Sequence, residues 1–163
     1  MSSMNPREKN RNPRNDKDTN TNNRDKEQSI RDKDQNTKTS YKDGKLKEAV
    51  NYAKEAIKFS KNDFGINHYY TATLIENLGI IQYELSMYED AKDSFVEVLN
   101  IRKTSLNEDH IDIAESLNYI ALTNRKLYQY DDAISYLKGL GYFNVVDIKC
   151  FSLNFSCGKK KYC

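Results

Sequence analysis

The chain has 163 residues, room for one modest domain with tails. It is 31% charged and 37% hydrophobic, with two prolines and no tryptophan, which favours surface-rich helices over a single deep core. Charge is segregated: residues 1–45 carry 12 Lys+Arg against 8 Asp+Glu (net +4), residues 46–138 carry 10 against 15 (net −5), and residues 139–163 carry 4 against 1 (net +3). No stretch approaches the roughly 20 apolar residues of a membrane span. The N-terminus lacks an apolar signal core, and its acids argue against a transit peptide. Cys150, Cys157 and Cys163 all fall at the C-terminal end, so a cytoplasmic protein without a disulfide framework is expected.

Residues 1–42 are dominated by Asn, Asp, Lys, Arg, Thr and Ser, with Ile30 and Tyr41 as exceptions. Such a segment buries too little apolar surface to offset its ordering entropy, so a disordered polar tail is predicted. Interleaved acids and the want of stacking aromatics speak against a nucleic-acid arm. From residue 43 to 138 the sequence repeats with a step of 42. The step pairs Ala49, Ala91 and Ala133; Leu46, Tyr88 and Tyr130; His68 and His110; Ala72 and Ala114; Leu78 and Ile120; and Leu85 and Leu127.

Each unit reads as two helices. Ile75, Leu78, Ile81 and Leu85 recur at helical spacing in the first, as do Leu117, Ile120 and Leu127 one unit on. Tyr88, Ala91, Phe95, Val98 and Leu99 make one apolar stripe in the second. Ser86 with Glu89 has the spacing of a capping box, and Asp109 and Asp112 are candidate caps for the helix beginning near His110. Neither helix buries its stripe alone, so pairs must form and stack. The expected fold is all-α: a solenoid of antiparallel helix pairs, about two and a half units long, over residues 43–138.

The run Ile75-x-x-Leu78-Gly79 followed by Ala91-x-x-x-Phe95 resembles the tetratricopeptide pattern, with isoleucine at the usual tryptophan position. Gln82 and Asn124 replace the family's later tyrosine. Gly79, Ala121, Ala91 and Ala133 are the small residues that let backbones cross closely; a bulky replacement is expected to cost about 1–3 kcal/mol. The 42-residue period exceeds the family's ordinary 34. Together with the segment from Asn107 to Asn118, it resembles the kinesin-light-chain-like subfamily, with Ile111 where proline commonly follows the histidine.

Beyond Leu137 the register breaks off at Gly139 and Gly141. Residues 142–151 are β-like in composition, and residues 139–163 read as an irregular basic tail containing the cysteines. No capping helix is evident, and one reading makes the chain a truncated fragment of a longer repeat protein; downstream genomic sequence resuming the register would support it. Cys157 and Cys163 beside Lys159, Lys160 and Lys161 raise acylation with a polybasic membrane contact, against which a plain basic tail is preferred.

His68 and His110 occupy equal places in successive units. A metal pair needs three or four convergent ligands, and none accompany them, so the structural reading, a helix-start residue, is preferred. No phosphate-cradling loop, nucleophile elbow or metalloprotease signature occurs. Catalytic, cofactor and metal sites are expected to be absent.

The tetratricopeptide resemblance implies a concave groove, lined by the first helices, that receives a peptide or helix of a protein partner. Its positions fall on Thr73, Glu76, Asn77, Ile80, Tyr83 and Glu84 in one unit and on Glu115, Asn118, Leu122, Arg125 and Lys126 in the next. Asn77 and Asn118 match half of each asparagine pair with which kinesin-light-chain-like repeats hold peptide backbones. A clamp for a terminal carboxylate needs more cations than Arg125 and Lys126. The groove is expected to be acidic in its first half and basic in its second. The alternative function is self-association, joining copies end to end through unpaired faces at Val50, Ala53 and Ile57 and at Ile134 and Leu137.

Overall fold

The computed structural model describes residues 13–138 apart from Asp109. Six α-helices follow one another: α1 (Pro13–Lys42), α2 (Leu46–Asp63), α3 (Tyr69–Glu84), α4 (Tyr88–Ser105), α5 (Ile111–Lys126) and α6 (Tyr130–Lys138). They pair as α1–α2, α3–α4 and α5–α6, and α3 and α5 also pack on the preceding α2 and α4. The result is two layers, with α1, α3 and α5 in one and α2, α4 and α6 in the other. No strand occurs among the described residues, and no helix there is long and apolar enough to cross a membrane.

The expected solenoid is present, and it begins further upstream than the apolar pattern suggests. From Pro13 the polar segment is helix, and α1 pairs with α2 as extensively as α3 does with α4. Residues 1–12 lie outside the described residues. Ile30, Asp34, Thr37 and Ser40 form the buried stripe of α1, three or four residues apart, and three of the four are polar. Lys38 pairs with the buried Asp34 (2.7 Å) and Arg31 with Glu27 on the helix surface (3.6 Å), and Lys33 reaches Glu55 of α2 and the Phe59 ring. Such pairs contribute only tenths of a kcal/mol each; burial against α2 is what holds the helix.

The position of α1 also corrects the expected ends of the array. Val50, Ala53 and Ile57, expected to be an unpaired face, are 9%, 2% and 8% exposed and join Ile30 in one core cluster. At the other end Ile134 is half-buried and Leu137 is buried. The tail predicted over residues 139–163 lies outside the described residues.

Each hairpin turns in the same way. The amides of Lys45, Met87 and Gln129 reach back to the carbonyls of Ser40, Gln82 and Asn124 at 2.8–2.9 Å, and those of Gly44, Ser86 and Tyr128 to Tyr41, Tyr83 and Arg125. This is the Schellman helix end, which places one residue in the left-handed region. That residue is Gly44 (φ 74°), Ser86 (φ 61°) and Tyr128 (φ 61°), spaced by 42. Only glycine adopts it freely; for others it costs about 1–2 kcal/mol. Ser86 is therefore a helix-ending residue and not the capping box expected with Glu89: the N-cap of α4 is Met87, with no side-chain cap bond. Tyr128 is 78% exposed, so Tyr128→Gly is expected to raise the unfolding free energy by about 1 kcal/mol, measurable as a higher urea midpoint; an unchanged or lower midpoint would contradict the strain.

The first helices of the second and third hairpins start on the two histidines. His68 Nδ1 accepts the amide of Tyr70 and His110 Nδ1 that of Asp112, both at 3.2 Å. Asp112 thus lies inside α5 rather than capping it, and Asp109 lies outside the described residues. The small-residue crossing is as tight as expected: a Cβ on Gly79 would sit 2.8 Å from Cε1 of Phe95. Phe95 in turn stacks on Tyr119 of α5, ring centres 4.8 Å apart and 8° from parallel. Gln82 accepts a hydrogen bond from Ser94 Oγ at 2.7 Å, whereas Asn124, its mate one unit later, is buried with neither amide atom paired.

Candidate functional site

Among the described residues, the first-helix layer holds a pocket between α1 and α3. Thr37, Lys38 and Tyr41 of α1 face Asn77, Ile80 and Ile81 of α3 across a cavity of about 190 Å³. That is below the roughly 300–1,000 Å³ of small-molecule sites and suits a single inserted side chain. At its end Tyr41 donates its hydroxyl to Glu84 Oε1 at 2.5 Å. This hydrogen bond, with lesser help from burial, holds the Tyr41 phenol above its ordinary value. Tyr83 lies edge-on to Tyr88, ring centres 5.3 Å apart.

Of the residues assigned to a groove from sequence, Asn77 and Ile80 line this pocket, Glu84 adjoins it through Tyr41, and Tyr83 lies outside the lining, packed toward α4 and α5. Thr73 is half-buried with its hydroxyl donated to the Tyr69 carbonyl at 3.4 Å. Leu122 and Arg125 are half-buried and Asn118 and Lys126 exposed on α5, outside the pocket lining. Sequence reasoning misses the α1 wall. A step of 42 leads from Tyr83 to Tyr41 and from Ile80 to Lys38, so the repeat register carries the signal, while the polarity of the segment masks it.

Glu76 is the second correction. Assigned to the acidic half of the groove, it is only 12% exposed at the side chain and is held by Arg102 of α4 with both carboxylate oxygens, at 2.7 and 2.8 Å. Arg102 sits on the buried stripe of α4, one and two turns beyond Val98 and Phe95, which is where its role is legible. The most exposed acid of this corner is Glu115 on α5, with Asp112 half-buried beside it. The Glu115 carboxyl is raised above the ordinary 4.5, first by burial and next by Glu76, with Asp112 adding to the rise and Arg102 opposing it. Tyr119 is raised likewise, by burial and then by Glu115 and Glu76. Tyr69 donates to Asp112 Oδ2 at 2.7 Å, and that bond is the main cause of its raised phenol.

A carboxyl raised on folding contributes stability that is full below its unfolded value and is lost as pH climbs through the folded one. Glu115→Gln should therefore stabilise the fold at neutral pH, by a small amount because Glu115 is exposed, and the gain should vanish below about pH 4.5. Thermal melts across pH check this; a gain that grows on acidification would contradict it.

Among the described residues no group of three or more His, Cys, Asp or Glu is placed to hold a metal ion. Residues 39–104 match the tetratricopeptide repeat family. No curated protein matches the sequence. Among solved structures, the chain resembles BtubC (BKLC) from P. vanneervenii, with TM-score 0.64 and 14% identity over 82% of this chain and 52% of that one. It also resembles a Podosopora anserina protein of nearly identical TPR-like repeats assigned to the kinesin light chains, with TM-score 0.61 and 16% identity over 76% of this chain and 56% of the other. A variant form of that protein matches equally. The chain thus spans about half the length of the structures it resembles.

Proposed function

Because the chain is a tetratricopeptide-repeat protein with a fold of the kinesin-light-chain-like type, a fold of protein–protein interaction scaffolds, we propose that it docks a peptide or helical segment of a protein partner on its first-helix layer. The observation that carries this is the side-chain-sized pocket between α1 and α3. An apolar floor of Ile80 and Ile81 would take one anchoring side chain, and the Asn77 amide, both donor and acceptor, would grip the adjoining backbone. Thr73, Tyr83, Glu84, Glu115, Asn118, Leu122, Arg125 and Lys126 would extend the contact along α3 and α5.

Peptides selected from a random displayed library on the full chain test this. Their affinity is expected to fall at least about tenfold with Ile80→Asp, which puts a charge into the anchor pocket. It should be unmoved by Asn100→Asp, an exposed position on α4. Peptides that bind Ile80→Asp as well as the parent would refute the assignment.

A further inference from the structure

The charge presented by the first-helix layer is set from behind it. Arg102 belongs to α4, in the other layer, and its side chain is 3% exposed. Beyond its two-pronged hold on Glu76 of α3, its Nη1 also donates to the carbonyl of Asp112 at 3.0 Å and to Ser116 Oγ at 2.8 Å, both in α5. One guanidinium therefore ties three helices across the boundary between the second and third hairpins. Its planar fork suits paired carboxylate oxygens in a way an ammonium does not.

The preceding boundary lacks this device. A step of 42 back from Glu76 leads to Asp34, and from Arg102 to Ser60. Ser60 shares a hydrogen bond with Thr71 at 2.7 Å. Asp34 keeps Lys38 and Tyr70 on Oδ2, and its Oδ1 is buried without a partner. The guanidinium is thus a property of one boundary and not of the repeat.

Resting on the reading of this layer as the docking surface, we infer that Arg102 is a positioning and specificity-determining residue. It draws the Glu76 carboxylate toward the second-helix layer and cancels its charge, so that a partner lying between α3 and α5 meets Glu115, Asn118 and the Tyr69-bonded Asp112 without the added charge of Glu76. The groups around it are Glu76 and Tyr69 of α3 and Asp112, Glu115 and Tyr119 of α5, all acids or phenols. Without the guanidinium this corner would present a concentrated negative field, attractive to basic segments. With it, basic segments lose that advantage.

A fluorescein-labelled oligoarginine peptide, followed by anisotropy on the full chain, reads the masked charge without a natural partner. Arg102→Met is expected to bind the probe about tenfold more tightly, the effect of one uncompensated carboxylate near a surface cation, with a steeper salt dependence. Arg102→Met with Glu76→Gln should return both to the parent values. Arg102→Lys keeps a cation but loses the fork, and its affinity should lie between parent and Arg102→Met. Unchanged affinity in a folded Arg102→Met variant overturns the inference, as does parental affinity in Arg102→Lys if Arg102→Met does not fold. A failed docking reading would show instead in library peptides indifferent to Ile80→Asp.

Discussion

Truncating Phe95 to alanine is expected to lower the unfolding free energy by about 3–5 kcal/mol. The ring is 1% exposed and joins its own helix to two others. It fills the notch left by the missing side chain of Gly79 on α3, belongs to α4, and stacks on Tyr119 of α5. A cavity there would strip contacts from two neighbouring helices, since the ring meets Gly79 of α3 as well as Tyr119 of α5. Urea unfolding followed by circular dichroism measures the loss. The same geometry predicts that Gly79→Val costs about 1–3 kcal/mol by overpacking, and that the cost shrinks when Phe95→Leu is made alongside. A neutral Gly79→Val in the parent would mean that the crossing is looser than 2.8 Å implies.

Glu76→Ala is expected to be comparably damaging, at about 3–5 kcal/mol, because it leaves a buried guanidinium without its counter-charge. The lower end of that range is the better expectation, since Nη1 of Arg102 keeps the Asp112 carbonyl and Ser116. The Nε of Arg102 is already without a partner, so there is no spare acceptor to absorb the loss. Replacing both members by apolar residues of similar volume, as in Glu76→Leu with Arg102→Met, should recover most of the stability. If the double variant is as unstable as Glu76→Ala, the pair acts through shape and not charge.

Much of the fold is legible in the residues. Ala91 and Phe95 against Gly79 announce a close helix crossing, and the structure puts the clash where the small residue predicts it. The histidines read as helix starts, and both accept the amide two residues on. Ser86 misleads, because serine before a helix is ordinarily a cap, whereas here the preceding helix ends on a left-handed residue and the turn geometry outranks local preference. The register itself holds the correction, since the position of Ser86 is glycine in the first unit. The α1 helix is concealed for a related reason. Its inward stripe of Ile30, Asp34, Thr37 and Ser40 has helical spacing, yet a search for apolar periodicity does not see polar residues that bury.

The candidate site is legible as a set of positions and not as a field of charge. Asn77, Ile80 and Glu84 can be placed on one helix face from spacing alone, since 3.6 residues per turn sorts any helix into faces. Which carboxylates show their charge depends on what arrives from elsewhere in the chain. Glu76 meets Arg102 from 26 residues away, and Tyr41 meets Glu84 from 43.

The amino-acid order thus settled the helical pairing, its 42-residue step and the tight crossings, because these follow from local periodicity and side-chain size, both of which are properties of short stretches. The wall that α1 contributes, the silencing of Glu76 and the pocket between α1 and α3 were decided when the helices came together, because burial and ion pairing depend on distances between segments that the chain's own spacing does not specify.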